Sequence, residues 1–304
     1  PEGATVDVNG CTIGIYLDEN GVTIKATDYA VVGESYELDG VSYLVVNKNM
    51  LFDMVANGED VTKVVTTNVT YMVGMFYDVT AFNQDIGSWD VSNVTKMSGM
   101  FRRAQNFNQD IGSWDLSNVT DISNMFNGAT SFNQDIGGWD VSGVNEFYSM
   151  FRRAKSFNQD IGGWVVSGRR NMSDMFYDAE SFNQDIGGWD VSGVTHMSSM
   201  FSYTKSFNQD IGGWDVSDVL YMDIMFHGAI AFNQDISSWD VSSVRGMGSM
   251  FSGAPDGLHD NSISPAFNQD LSSWDVNSVT SCGRFSYNNP DWTLPKPNFT
   301  NCEE

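Results

Sequence analysis

Positive charge is scarce in this chain: 15 Lys and Arg stand against 39 Asp and Glu in 304 residues, a formal net charge of −24. Phosphate backbones demand the opposite sign, which argues against nucleic acid as a partner and leaves cations, basic surfaces or simple solubility in salt. Long apolar runs are also lacking. Although 41% of residues are hydrophobic, no stretch approaches the ~20 needed to cross a bilayer. The sequence opens at Pro1 without a basic or apolar leader, so the expectation is that any secretion signal has been removed.

Cysteine is limited to Cys11, Cys282 and Cys302, none at metal-ligand spacing. Cys282 and Cys302 bracket a Pro-bearing tail and form the candidate disulfide, which implies an oxidising, extracellular setting and leaves Cys11 over. Catalytic signatures are missing too. His196, His227 and His259 stand alone, and no Gly-x-Ser-x-Gly, His-Glu-x-x-His or Gly-rich phosphate loop occurs. The many carboxylates are periodic, whereas a glycosidase needs one differentiated pair. The chain reads as no enzyme, with no cofactor required.

What is present is a repeat. The string Phe82-Asn83-Gln84-Asp85-Ile86-Gly87-Ser88-Trp89-Asp90-Val91-Ser92 recurs at Phe107, Phe132, Phe157, Phe182, Phe207 and Phe232 at a spacing of 25 residues, and again at Phe267 after one insertion. A period of about 20 to 50 residues marks stacked units that pack on their neighbours. Shifting the frame back places Val61, Val64, Thr66 and Val69 at repeat positions, so a degenerate ninth strand is expected at about Lys63 to Thr67.

Residues 1–58 do not repeat. Their alternating stretches, with a hairpin turn at Asp39-Gly40 and a short helix from Met50 to Ala56, read as an N-terminal β-hairpin and helix that cap the array. The array spans 59–287, with an insertion near 255–264, and residues 288–304 form a capping tail.

Within a unit, Ile86, Trp89 and Val91 match a short strand, while Val94, Met97, Met100, Phe101 and Ala104 follow helical spacing. The expected fold is an α/β repeat solenoid: a leucine-rich-repeat-like right-handed horseshoe or arc, with a parallel sheet on the concave face and short helices on the convex one. Were Trp89 to face outward, seven of the eight units would bury an Asp, and unpaired buried carboxylates are too costly. The Trp column therefore faces the core.

The concave face is then lined by Asp90, Asp115, Asp140, Val165, Asp190, Asp215, Asp240 and Asp275. With strands ~4.8 Å apart, neighbouring carboxylates repel by about 1 kcal/mol in water. Either solvent screening and adjacent Ser hydroxyls offset this, or a cation such as Ca²⁺ does. A second column, Asp85, Asp110, Asp135, Asp160, Asp185, Asp210, Asp235 and Asp270, has two readings: loop hydrogen bonding or an edge Ca²⁺ site. Val165, with Arg169-Arg170 in the same unit, is either drift or a neutral to basic contact spot. Arg102-Arg103 and Arg152-Arg153, with Lys155 and Lys205, make the convex side less acidic; they are either a solvated face or a surface for self-association.

The unit Phe-Asn-Gln-Asp-Ile-Gly-x-Trp-Asp-Val-Ser-x-Val-Thr-x-Met-x-x-Met-Phe resembles the 25-residue repeat of BspA-like surface leucine-rich-repeat proteins, a family of mycoplasma lipoproteins and of secreted proteins in Bacteroidetes and marine microbes. The resemblance covers about residues 60 to 287, and the tail Trp292-Thr293-Leu294-Pro295-Lys296-Pro297 resembles the flanks of bacterial members. It implies an extracellular or cell-surface protein, with adhesion to a protein or polysaccharide as its function, and it carries over no catalytic residues. The alternative is a structural protein that self-assembles into a filament or surface layer. Val165, Arg169, the insertion and the last unit, where Cys282, Phe285 and Ser286 replace Met, Met and Phe, depart from the pattern.

Overall fold

The structure is a computed structural model that describes residues 14–253 and 264–303. Cys11, His259 and the insertion, apart from its last residue, lie outside the described residues. The N-terminal part carries five strands and one helix. Strands β1 (Ile15–Leu17) and β2 (Ile24–Ala26) pair antiparallel. Strands β3 (Ser35–Leu38) and β4 (Val41–Asn47) form the hairpin expected at Asp39-Gly40, whose residues take φ of 51° and 77°, the left-handed values of a tight two-residue turn.

Helix α1 (Lys48–Ala56) follows directly, its first turn capped by Asn47, whose side chain accepts the Met50 N–H at 3.1 Å. The degenerate strand expected near Lys63 is β5 (Val64–Asn68), and it pairs parallel with β4. Ile15, Ile24, Leu38, Val45 and Val65 pack into a small core of their own. Val46, Leu51 and Val55 instead join the large core that continues to Trp292.

Beyond Asn68 the units differ from expectation in their local structure. The positions expected to be helical, Val94 to Ala104, form a run of tight turns. Met100, Arg102, Ala104 and Phe107 N–H groups each donate to the carbonyl three residues back, at 3.0–3.1 Å. The alternate N–H groups, those of Met97, Gly99, Phe101 and Arg103, donate to Asp121, Ser123, Met125 and Asn127 in the next unit at 2.7–2.9 Å. A helix would have spent all of these donors internally and left no ladder between units. The turns use two left-handed residues in most units, such as Gly99 at φ 60° and Arg103 at φ 62°, or Asn124 at 57° and Gly128 at 78°. An i, i+3, i+4 apolar pattern fits either geometry, because both bring those side chains to one side.

The expected strand at Ile86–Val91 is likewise a pair of turns, closed by Trp89 N–H to Ile86 and Val94 N–H to Val91. Side-chain acceptors at Asp85 and Asp90 take the N–H groups two residues on and so compete with a ladder there. Parallel pairing survives as single bridges at Tyr71, Lys96, Asp121 and Glu146, and again from Asn171 through His196, Tyr221 and Gly246 to Ser281.

Side chains complete the joints. Each Trp indole N–H from Trp114 to Trp274 donates to the carbonyl of the Ile in the preceding unit, as Trp139 does to Ile111 at 3.1 Å. An Asn ladder runs alongside: Asn108, Asn133, Asn158, Asn183, Asn208, Asn233 and Asn268 each accept, on the side-chain oxygen, the N–H at the matching position of the unit that follows.

The core is made of repeating columns. Phe101, Phe126, Phe151, Phe176, Phe201 and Phe226 lie nearly parallel with centroids 5.6–5.8 Å apart. In one unit Ile111, Trp114, Leu116, Val119, Ile122, Met125, Phe126 and Phe132 are all buried, each contributing about 1.5–3 kcal/mol of burial. At the C-terminal end Trp292 packs edge-on against Phe251 and Phe267, Thr293 takes the last Asn acceptor, and the Cys282–Cys302 disulfide ties the tail to the final unit.

Candidate functional site

Both acidic columns are built by the same local device. In Asp115, Asp140, Asp190, Asp215, Asp240 and Asp275, one carboxylate oxygen accepts the N–H of the residue two positions on, at 2.9–3.1 Å. Ser192 and Ser217 add their hydroxyls to the same oxygen. All six side chains are exposed. The second column repeats this: Asp110, Asp135, Asp160, Asp185, Asp210, Asp235 and Asp270 accept the N–H of Gly112, Gly137, Gly162, Gly187, Gly212, Ser237 and Ser272. Asp85 does the same for Gly87. The glycines answer a close approach: a Cβ on Gly162 would stand 2.6 Å from the Asp185 carbonyl of the next unit.

One oxygen of each carboxylate is thus committed to the fold, and the geometry directs its charge from a fixed position. Among the described residues no three acidic, His or Cys side chains gather as a metal cluster, so neither column by itself assembles a multidentate cage of the kind Ca²⁺ takes.

Hydrogen bonding favours the ionised form at five of these carboxyls. The Ser142 hydroxyl and N–H hold the Asp140 carboxyl below its ordinary value of 3.8, and Ser217 and Ser242 do the same for Asp215 and Asp240. In the second column the Ser237 N–H and hydroxyl lower Asp235, and the Ser272 hydroxyl and N–H lower Asp270. Because the folded values are depressed, the stability these groups contribute is present above the unfolded value and lost as pH falls through the folded one. Carboxyl-carbon NMR should show Asp140, Asp215 and Asp240 titrating below 3.8. Asp174, pushed up by burial despite the adjacent Arg152, should titrate above it.

Asp90 departs from its column. It is 2% exposed, because the N-terminal strands cover its unit: Ile24 N–H donates to the Ser88 carbonyl and the Thr66 hydroxyl to that of Asp90. The exposed face therefore begins at Asp115. Val165 is exposed and cannot accept the Ser167 N–H as an Asp would.

Arg169 stands where other units bury Val94, Val119 or Val144. It reaches back to the Ser142 carbonyl and to Asn145, as Asn118 reaches the Ser92 carbonyl. The price is local: the Arg169 Nε is buried without a partner, and the bridge between Glu146 and Asn171 is missing from the parallel series. This gives Arg169 a structural role at the one place where the series breaks.

Two of the three histidines expected to stand alone, His196 and His227, do not. His227 lies between the Tyr203 hydroxyl and Ser252, and His196 meets the Thr195 hydroxyl at 2.8 Å. Ser252 is 2% exposed and also donates to the Ser249 carbonyl, which makes the Tyr203-His227-Ser252 set a bridge across three units. Lys155 and Lys205 both pair with Glu180. The sequence signal for these groupings was available: residues 25 apart are neighbours, so Tyr203, Gly228 and Gly253 share one column, and His227 and Ser252 the one beside it.

The protein family described as Mycoplasma protein of unknown function, DUF285, matches the chain at residues 46–164, 112–205 and 170–289. No curated protein and no solved structure matches it.

Proposed function

The chain belongs to the DUF285 family of Mycoplasma-type repeat proteins, and from that premise we propose that it is an extracellular or cell-surface adhesion module, a BspA-like leucine-rich-repeat solenoid without catalytic activity. In this reading its units curve into an arc whose acidic face meets a protein or polysaccharide partner that presents cations or hydrogen-bond donors. The observation that carries the proposal is the row of exposed, ionised carboxylates from Asp115 to Asp275, each anchored by its own turn. Fixed charges cost no ordering on binding, and a field of one sign steers an oppositely charged partner. The Cys282–Cys302 disulfide supports an oxidising compartment. No helix among the described residues is long and apolar enough to cross a membrane.

The test uses a lysine-rich peptide as probe, titrated at low and high salt. The wild type should bind with an affinity that falls as salt rises. The variant Asp115→Asn, Asp140→Asn, Asp190→Asn, Asp215→Asn should bind at least ten-fold more weakly. Equal binding by the two proteins would remove the acidic face from the function.

A further inference from the structure

Five of the chain's 15 Lys and Arg line one recess of about 480 Å³. They are Arg102, Arg103, Arg152, Arg153 and Lys155, and no carboxylate lines it with them. In a chain of net charge −24 such a concentration stands out; Lys155 pairs with Glu180 at 2.6 Å, whereas Arg102 and Arg153 have no ion pair among the described residues. The recess has a simple origin in the repeat. Units two apart each carry an Arg pair, and the unit between them offers Asn127 and Gly128 at the same two positions. Gly128 lets the Arg103 side chain lie across it: a Cβ there would meet the Arg103 Cγ at 3.2 Å.

The columns through the recess are palindromic. One reads Tyr77, Arg102, Asn127, Arg152, Tyr177, and its neighbour reads Asp78, Arg103, Gly128, Arg153, Asp178. The outer rings hold the guanidinium groups in place: Arg102 lies 5.4 Å from the Tyr77 ring centre and Arg152 3.9 Å from that of Tyr177. Arg103 leans on Asp78 at 3.3 Å, and Arg152 pairs with Asp174, at the outer margins. Arg102 makes no ion pair among the described residues.

The two inner Arg residues take the left-handed backbone that their column has in most units. Arg103 and Arg153 have φ of 62° and 59°, in the column where other units use Gly128 or Gly228. Tyr203 does the same at φ 57°, so the turn accepts a long side chain, although Gly, Asn or Asp suits it better.

We propose that this recess binds the sulfate or phosphate ester groups of an anionic polysaccharide. Guanidinium forks match tetrahedral oxyanions by paired N–H donation, and the Asn127, Gln105 and Thr130 side chains line the floor with further polar groups. The concave shape admits a projecting oxyanion. This site uses different residues from those of the acidic face, and it goes beyond that reading.

Calorimetry on the full chain with dextran sulfate, phosphorylated dextran and unmodified dextran tests the proposal. At least one of the two esters should bind, with an affinity that falls as salt rises, and whichever binds more tightly identifies the group preferred. Unmodified dextran should not bind. The variant Arg103→Asn, Arg153→Asn should lose at least ten-fold in affinity while its melting temperature holds or rises, since Asn tolerates the left-handed backbone. Lys63→Ala, at an exposed cation outside the recess, should bind as the wild type does. Failure of both esters to bind, equal binding of unmodified dextran, or unchanged affinity in the double Asn variant would each overturn the site. So would a concentration-dependent self-association that the double variant abolishes, because the recess would then receive a second copy.

Discussion

Replacing Trp189 by Ala is expected to lower the free energy of unfolding by about 3–5 kcal/mol. The side chain is 4% exposed, its ring stacks 6.2 Å from that of Phe176, and its indole N–H donates to the Ile161 carbonyl at 3.1 Å. Truncation opens a cavity between units and removes one of the two donors to the Ile161 carbonyl, which keeps only the Trp164 N–H, and both losses fall on the same joint. Units that pack only on their neighbours cannot repack from a distance. Urea unfolding should therefore shift to a lower midpoint and broaden, as the two sides of the joint part company. Trp189→Phe, which keeps most of the volume but not the donor, should cost distinctly less. A midpoint unchanged by Trp189→Ala would mean that the Trp column is not what joins the units.

Opening the disulfide should be the other large effect. Cys282 and Cys302 are separated by 20 residues, and freeing a loop of that length costs about 3 kcal/mol on the chain-entropy account. The native contacts that depend on it raise the consequence. Trp292 packs edge-on against Phe251 and Phe267 and donates to the Gln269 carbonyl, and Leu271 N–H donates to the Pro295 carbonyl. Cys302→Ser should lower the melting temperature and speed hydrogen exchange first at Leu271 and Thr293, with the units near Phe132 protected as before. Uniform loss of protection along the chain would show instead that the tail supports the whole stack.

These expectations rest on features that were legible in the sequence to different degrees. The inward Trp column and the hairpin at Asp39-Gly40 follow from burial cost and turn chemistry alone. The Cys282–Cys302 pair was legible only as a candidate, because spacing does not fix pairing. The structure of the unit was misread where two geometries share one pattern. Met97, Met100, Phe101 and Ala104 look helical because they fall on one side, but Gly99, Asn124 and Asp174, at one repeat position, together with Gly128 and Gly228 at another, signal left-handed turns. The strand reading of Ile86 to Val91 failed for a related reason: Asp-x-Gly and Asp-x-Ser strings can cap their own backbone.

In the acidic face, the column was read from spacing, while the covering of Asp90 depended on where β1 and β2 fold back. Arg169 could be recognised as a break but not as a substitute for the Asn118-type tie, since that needs the position of the Ser142 carbonyl. The Arg pairs were visible as equivalents two units apart. The recess between them appears only once Gly128 is seen to sit under Arg103.

Under the proposed function each exposed Asp has two separable tasks: one oxygen closes a turn, and the charge meets the partner. Asn keeps the first and loses the second, whereas Ala loses both. The most direct measurement compares melting temperature and lysine-rich peptide binding for Asp→Asn and Asp→Ala sets at Asp115, Asp140, Asp190 and Asp215. The Asn set should melt between the wild type and the Ala set, because it keeps the turn bond but not its charge, and should bind at least ten-fold more weakly, while the Ala set should lose about 0.5–1.5 kcal/mol of stability per site. An Asn set that binds like the wild type, or that melts as low as the Ala set, would contradict the account.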